Sequence, residues 1–207
     1  MQNLIDTLLI FNKLTIEMGN RTIAMLKAET YDINKAKFLG PDMAVLTSLM
    51  DMIIIDACSF MDEYNKYFGV TTEEKFKHKI LEIKAICKPL VGQINQWKDL
   101  RTIRNSLVAH NLRTKNNTMI FRIPLEYNAP RGPHEIELLN NIIQLMCHII
   151  LDNEFQTELD YAKRNFKLNI PTFQGFSKNN CWEIMDSLIE KTNQNLTKYN
   201  KPYSVNL

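Results

Sequence analysis

The most apolar window of the chain, "MDMIIIDACSFM" at residues 50–61, constrains the fold more than any other feature. Its twelve residues include Asp51 and Asp56, so it falls well short of the roughly 18 uninterrupted apolar residues that a membrane-spanning helix needs. The pattern around it is helical. Pro41 suits a first helical turn, apolar residues recur as far as Tyr67 and Phe68, and Gly69 closes the run. A helix this apolar has to be enclosed by others, which makes it the central helix of a bundle.

Helical spacing elsewhere supplies the neighbours. Leu4, Ile5, Leu8, Leu9, Phe11, Ile16 and Ile23 predict a first helix over residues 3 to about 27. Thr72 with Glu73 and Glu74 marks the start of a shorter helix through Phe76, Ile80, Ile83 and Cys87, ending at Pro89. A fourth helix spans about 89–111 and a fifth about 133–165, the latter through Leu138, Ile142, Leu145 and Ile149. The stretch "CWEIMDSLIEKTNQNLTKY" makes a last amphipathic helix. Only six glycines and seven prolines occur, which argues against a turn-rich all-β fold. The expectation is therefore all-α: a helical bundle of four to five long helices plus a C-terminal helix, with residues 119–123 as a candidate short strand or hairpin after the fourth helix. The chain is read as a single domain, 1–207, with a core over about 1–165 and a helical extension over about 166–207.

Cys58, Cys87, Cys147 and Cys181 form no CxxC and have no histidine at metal spacing, so reduced thiols in a cytoplasmic protein are expected, with no disulfide, metal or other cofactor. The first residues, "MQNLIDTLLIF", carry no basic leader and place Asp6 inside the apolar run, unlike a secretion signal. No Walker loop, GxGxxG, HExxH or GxSxG is present, which disfavours ATPase, dehydrogenase, zinc protease and hydrolase chemistry. His148, inside "LMCHIILD", is expected to be a hydrogen-bonded core histidine, and His78 to be exposed among lysines.

The fourth helix carries the residues that bear on function, in "LRTIRNSLVAHN" at 100–111. At about 100° per residue, Leu90, Ile94, Trp97, Leu100, Ile103, Leu107 and Val108 share one sector, and Arg104 falls near its middle. A charge there costs free energy unless it is paired or faces a polar cleft. Arg104 could pair with Asp51, Asp56 or Asp99 along the bundle surface, lie in a seam between two subunits, or belong to a site.

The stretch "RNSLVAH" resembles the signature of the HEPN superfamily, in which an arginine followed by a polar residue precedes a histidine by four to six intervening positions. Here these are Arg104, Asn105 and His110. With seven arginines and four histidines in the chain, the arginine–histidine spacing alone arises by chance roughly 0.4 times, and an asparagine directly after the arginine lowers that to roughly 0.04. The resemblance implies a helical, metal-independent endoribonuclease of the kind found in phage defence, abortive infection and toxin systems, or a relative that binds RNA without cutting it. It further implies a homodimer, in which two such motifs face one cleft. His110 would then transfer protons and Arg104 would clamp the phosphate, with Asn105 orienting one or the other. Family toxins silenced by nucleotidylation carry a tyrosine two residues after the histidine. That position is Leu112 here, which puts an antitoxin of that kind in doubt, though not an antitoxin or defence-system partner in general.

Charge adds to this. Between residues 98 and 115, Lys98, Arg101, Arg104, Arg113 and Lys115 face one acid, Asp99, a net of +4 in a chain of net +2. Such a patch suits phosphate contact at one site, and Lys98, Arg101, Arg113 and Lys115 are the candidate RNA-binding residues. The loop 114–132 is expected to border the site and to be mobile. The alternative is a non-catalytic helical module that binds RNA or a nucleotide, or only dimerises, through the same basic cleft.

Overall fold

The computed structural model describes residues 2–29, 41–70, 74–108 and 127–165, together with six positions between 183 and 194. The fold is all-α, a helical bundle, and no strand occurs among the described residues. The chain divides into two compact units, Met1–Phe166 and Lys167–Leu207. In the second, Glu183, Asp186, Ser187, Ile189, Glu190 and Gln194 are all α-helical, and Gln194 reaches back one turn to Glu190. The candidate strand at 119–123 lies outside the described residues.

In the first unit α1 (Gln2–Glu29), α2 (Pro41–Lys66) and α3 (Glu74–Ile86) match the expected helices closely. Phe76, Ile80, Ile83 and Cys87 are buried at the spacing that predicted them. α1 lies between two antiparallel neighbours. It meets α2 through Thr7 with Glu63 and Arg21 with Asp56, and α6 (Pro133–Cys147) through Thr15 with Cys147 and the Gln144 amide on the Thr15 carbonyl. The core is aromatic where α1, α2 and α3 converge. Phe11 sits 4.5 Å from Phe60 and 5.5 Å from Phe68, and Phe155 joins Phe68 at 6.0 Å and Phe76 at 5.8 Å, spacings at which ring pairs attract beyond their area burial. Among the described residues no helix is long and apolar enough to cross a membrane.

Two expected helices are broken. The fourth is split into α4 (Lys88–Ile94) and α5 (Leu100–Val108) by a turn over residues 95–99. Asp99 makes the second start: its carbonyl accepts from the Ile103 amide, its carboxylate accepts from the Asn128 amide at 2.7 Å, and its own amide donates to the Asn128 carbonyl at 3.0 Å. The apolar spacing hides this because Ile94 and Leu100, on the two pieces, are both buried.

The fifth becomes α6 (Pro133–Cys147), a π-helical segment (His148–Glu154) and α7 (Gln156–Asn165). At about 100° per residue Glu137, Asn141 and Gln144 share one side of α6, and His148 falls on that side. Packing buries Ile136, Leu139, Ile143, Met146 and Ile150, and leaves Leu138 and Leu145 nearly half exposed. His148 consequently points outward, against expectation, with its Nδ1 2.9 Å from Asp152. His78 is exposed as expected, beside Glu82. Ile16 and Ile23 of α1 are likewise on the outer face rather than in the core.

Candidate functional site

The turn at 95–99 sets α5 against α2. Leu100 and Ile103 are buried, and the Cys58 thiol of α2 lies 3.7 Å from the Leu100 carbonyl. Arg104 follows Ile103 on the inward face, so its stem is covered while its side chain stays 24% exposed. The guanidinium ends on a carboxylate. Its Nη1 donates to Oδ2 of Asp62 at 2.6 Å, in α2. The expected partners Asp51, Asp56 and Asp99 are not used: Asp56 takes Arg21 and Asp99 takes the Asn128 amide.

Asn105 completes the placement. Its Oδ1 accepts from both Nε and Nη2 of Arg104, at 3.2 and 3.1 Å, so the plane of the guanidinium is fixed by two residues on different sides. Three of the five N–H groups of Arg104 are engaged among the described residues, which leaves one hydrogen on each terminal nitrogen. Donors of that kind suit the oxygens of a phosphate or carboxylate.

Asp62 is shared. Arg101 approaches its Oδ1 at 2.8 Å and Lys66 the same oxygen at 3.6 Å. Burial pushes the Asp62 carboxyl up, but the Arg104 hydrogen bond and the charges of Arg101, Arg104 and Lys66 outweigh it and hold it below the usual carboxylate range. Three cations thus meet one carboxylate, and the cluster keeps a surplus of two positive charges. Behind it, burial pushes the Cys58 thiol up to about 11 despite nearby Arg104, so it is protonated at neutral pH and is no nucleophile.

Of the residues marked out by sequence, Arg101, Arg104 and Asn105 therefore come together on one patch. Lys98 lies just before α5 and shares with Arg101 the rim of a cavity of about 130 Å³ between α2 and the 95–99 turn. His110, Arg113 and Lys115 lie outside the described residues, as do residues 114–126 of the loop. The described end of that loop is packed: Ala129 and Pro130 are buried, and Asn128 is the residue bonded to Asp99, so the loop returns to the bundle at the start of α5.

Sequence reasoning missed Asp62 and Lys66. A signal was there in Cys58, Asp62, Asn65 and Lys66, whose spacing of four, seven and eight sets a polar stripe along one face of an otherwise apolar helix. Among the described residues no group of three or more His, Cys, Asp or Glu is placed to hold a metal ion. Comparison of the chain with protein-family models, with curated proteins and with solved structures finds no match.

Proposed function

We propose that the chain is a metal-independent endoribonuclease of the HEPN type, cytoplasmic and acting in phage defence or a toxin-like system. The observation that supports this most is the held but unsaturated guanidinium of Arg104. It is fixed by Asp62 and Asn105 and, among the described residues, has a donor to spare on each terminal nitrogen and sits in a cluster with two positive charges in excess. In the proposed reaction the RNA 2′-oxygen attacks the adjacent phosphorus and the 5′-oxygen leaves, giving a 2′,3′-cyclic phosphate and a 5′-hydroxyl. His110 removes the 2′ proton or protonates the leaving oxygen, and Arg104 binds the phosphate oxygens as their charge grows. A homodimer would supply the second Arg104 and His110 to one cleft, with Lys98, Arg101, Arg113 and Lys115 along the flanking strand.

The Arg104–Asp62 pair also favours a second reading. A guanidinium already bonded to a carboxylate can simply tie α5 to α2, leaving a helical module that binds RNA or a nucleotide, or only dimerises. Three measurements on Arg104→Ala and His110→Ala separate the two: melting temperature, RNA affinity and RNA cleavage. The ribonuclease predicts that His110→Ala binds and does not cut, while Arg104→Ala does both poorly and remains folded. A structural tie predicts an Arg104→Ala protein that melts early and a His110→Ala protein indistinguishable from the parent on RNA. Light scattering that returns a monomer at micromolar concentration would count against a site shared by two subunits.

A further inference from the structure

The cavity of about 130 Å³ beside Arg101 is lined in a way that the phosphate chemistry does not use. Its floor is apolar, formed by Met61, Ile94 and Leu100. Trp97 forms an aromatic wall, half-buried and packed on the core. At the rim stand two exposed amides, Asn65 and Asn95, neither of which has a hydrogen-bond partner for its side chain among the described residues. Lys98 and Arg101 stand beside them. Arg101 and Arg104 meet the two oxygens of the same Asp62 carboxylate, at 2.8 and 2.6 Å, so the cavity mouth lies next to the clamp.

We infer that this cavity is a base subsite for a pyrimidine nucleotide. An aromatic wall accepts any base by stacking, because every base has a π-face. Size then favours the smaller bases: a cavity of about 150 Å³ takes one benzene ring, so this one has room for a single-ring pyrimidine, while a fused purine would project from its mouth. Each amide offers a donor and an acceptor, the alternation that the Watson–Crick edge of uracil or cytosine presents. Lys98 and Arg101 are then placed for the nucleotide's phosphate. The larger groove between α1 and α6, about 440 Å³, offers no such match, since Glu137 is the one charged residue that lines it among the described residues. The inference deepens the ribonuclease reading and rests on it for the base's place on the strand, next to the phosphate that Arg104 holds.

The test is calorimetry with uridine and cytidine monophosphates, adenosine and guanosine monophosphates, and inorganic phosphate, on the full chain. A pyrimidine nucleotide is expected to bind about tenfold or more tighter than either purine and than phosphate alone. Asn65→Ala and Asn95→Ala, both exposed and checked by melting temperature, should each weaken pyrimidine binding about fivefold and leave phosphate binding unchanged. Purines bound as tightly as pyrimidines, or phosphate bound as tightly as the nucleotide, would overturn the assignment. Mapping of RNA cut sites keeps the two claims apart. Cleavage with no pyrimidine at a fixed position sinks the subsite and leaves the ribonuclease standing. Pyrimidine-selective binding by a protein that cuts no RNA does the reverse.

Discussion

Two aspartates six residues apart on α2 meet arginine, and the two pairings do different things. Asp56 faces α1, where it is 7% exposed and pairs with Arg21. Arg21 also reaches Glu17, which lies near Lys13, so two cations meet two carboxylates and the charge closes on itself. Asp62 faces α5, where among the described residues Arg101, Arg104 and Lys66 meet it alone and two positive charges are left over. A buried, balanced pair is a connection within the bundle, and removing one member strands the other. A partly exposed pair with surplus charge is a place where an anion is attracted and met by oriented donors.

The largest effect should come from breaking the balanced pair. Asp56→Ala leaves the Arg21 guanidinium without its closest carboxylate and should cost about 3 kcal/mol of stability, read by urea or thermal unfolding, with RNA affinity unchanged. If Asp56→Ala melts like the parent, the distinction between the two sites fails on that side. Arg104→Ala comes next. It should weaken RNA binding by about 1.5–3 kcal/mol, roughly ten- to a hundredfold, yet lower stability by less than about 1 kcal/mol because its pair is partly solvated. A loss of stability equal to that of Asp56→Ala would make the two sites alike.

A third aspartate on the same helix sharpens the contrast. Burial raises the Asp51 carboxyl to about 6. Its charged form is therefore penalised in the folded state, and the penalty sets in as pH rises from about 4 through 6 and is complete above that. Asp51→Asn should stabilise the protein by about 1 kcal/mol at pH 7.5 and by nothing near pH 4, measured as melting temperature against pH. Asp62 behaves oppositely. Its depressed carboxyl contributes stability that is fully present above the ordinary carboxylate range and is lost only as pH falls below it. The smallest effects belong to Arg101→Ala and Lys66→Ala, each a few-fold in RNA affinity. Where the cation contacts a phosphate of a single strand, the slope of log affinity against log salt should flatten by about 0.7.

What the sequence displays and what it hides divide along the same line. α1, α2 and α3 are legible because local signals set them: apolar spacing, Pro41 at the start of α2 and Gly69 after it. Arg104 and Asn105 are legible as residues, because a charge interrupting an apolar stripe is itself local. The partner is not. Asp62 lies 42 positions from Arg104, and only the register of α2 against α5 brings them together. The break before α5 is hidden for the same reason, since Asp99 is fixed by Asn128, 29 positions away. His148 was misplaced because its immediate neighbours in the chain are apolar, whereas at about 100° per residue it shares one side of the helix with Glu137, Asn141 and Gln144, away from buried Leu139, Ile143 and Met146.

The most direct test of the central claim is cleavage of labelled single-stranded RNA in excess EDTA, by the parent and by His110→Ala, with binding measured on the same RNA. The account predicts that the parent cuts under chelation and that His110→Ala binds with near-parental affinity and leaves the RNA whole. A parent that binds RNA tightly and cuts none of it, or a His110→Ala protein that cuts at the parental rate, would contradict it.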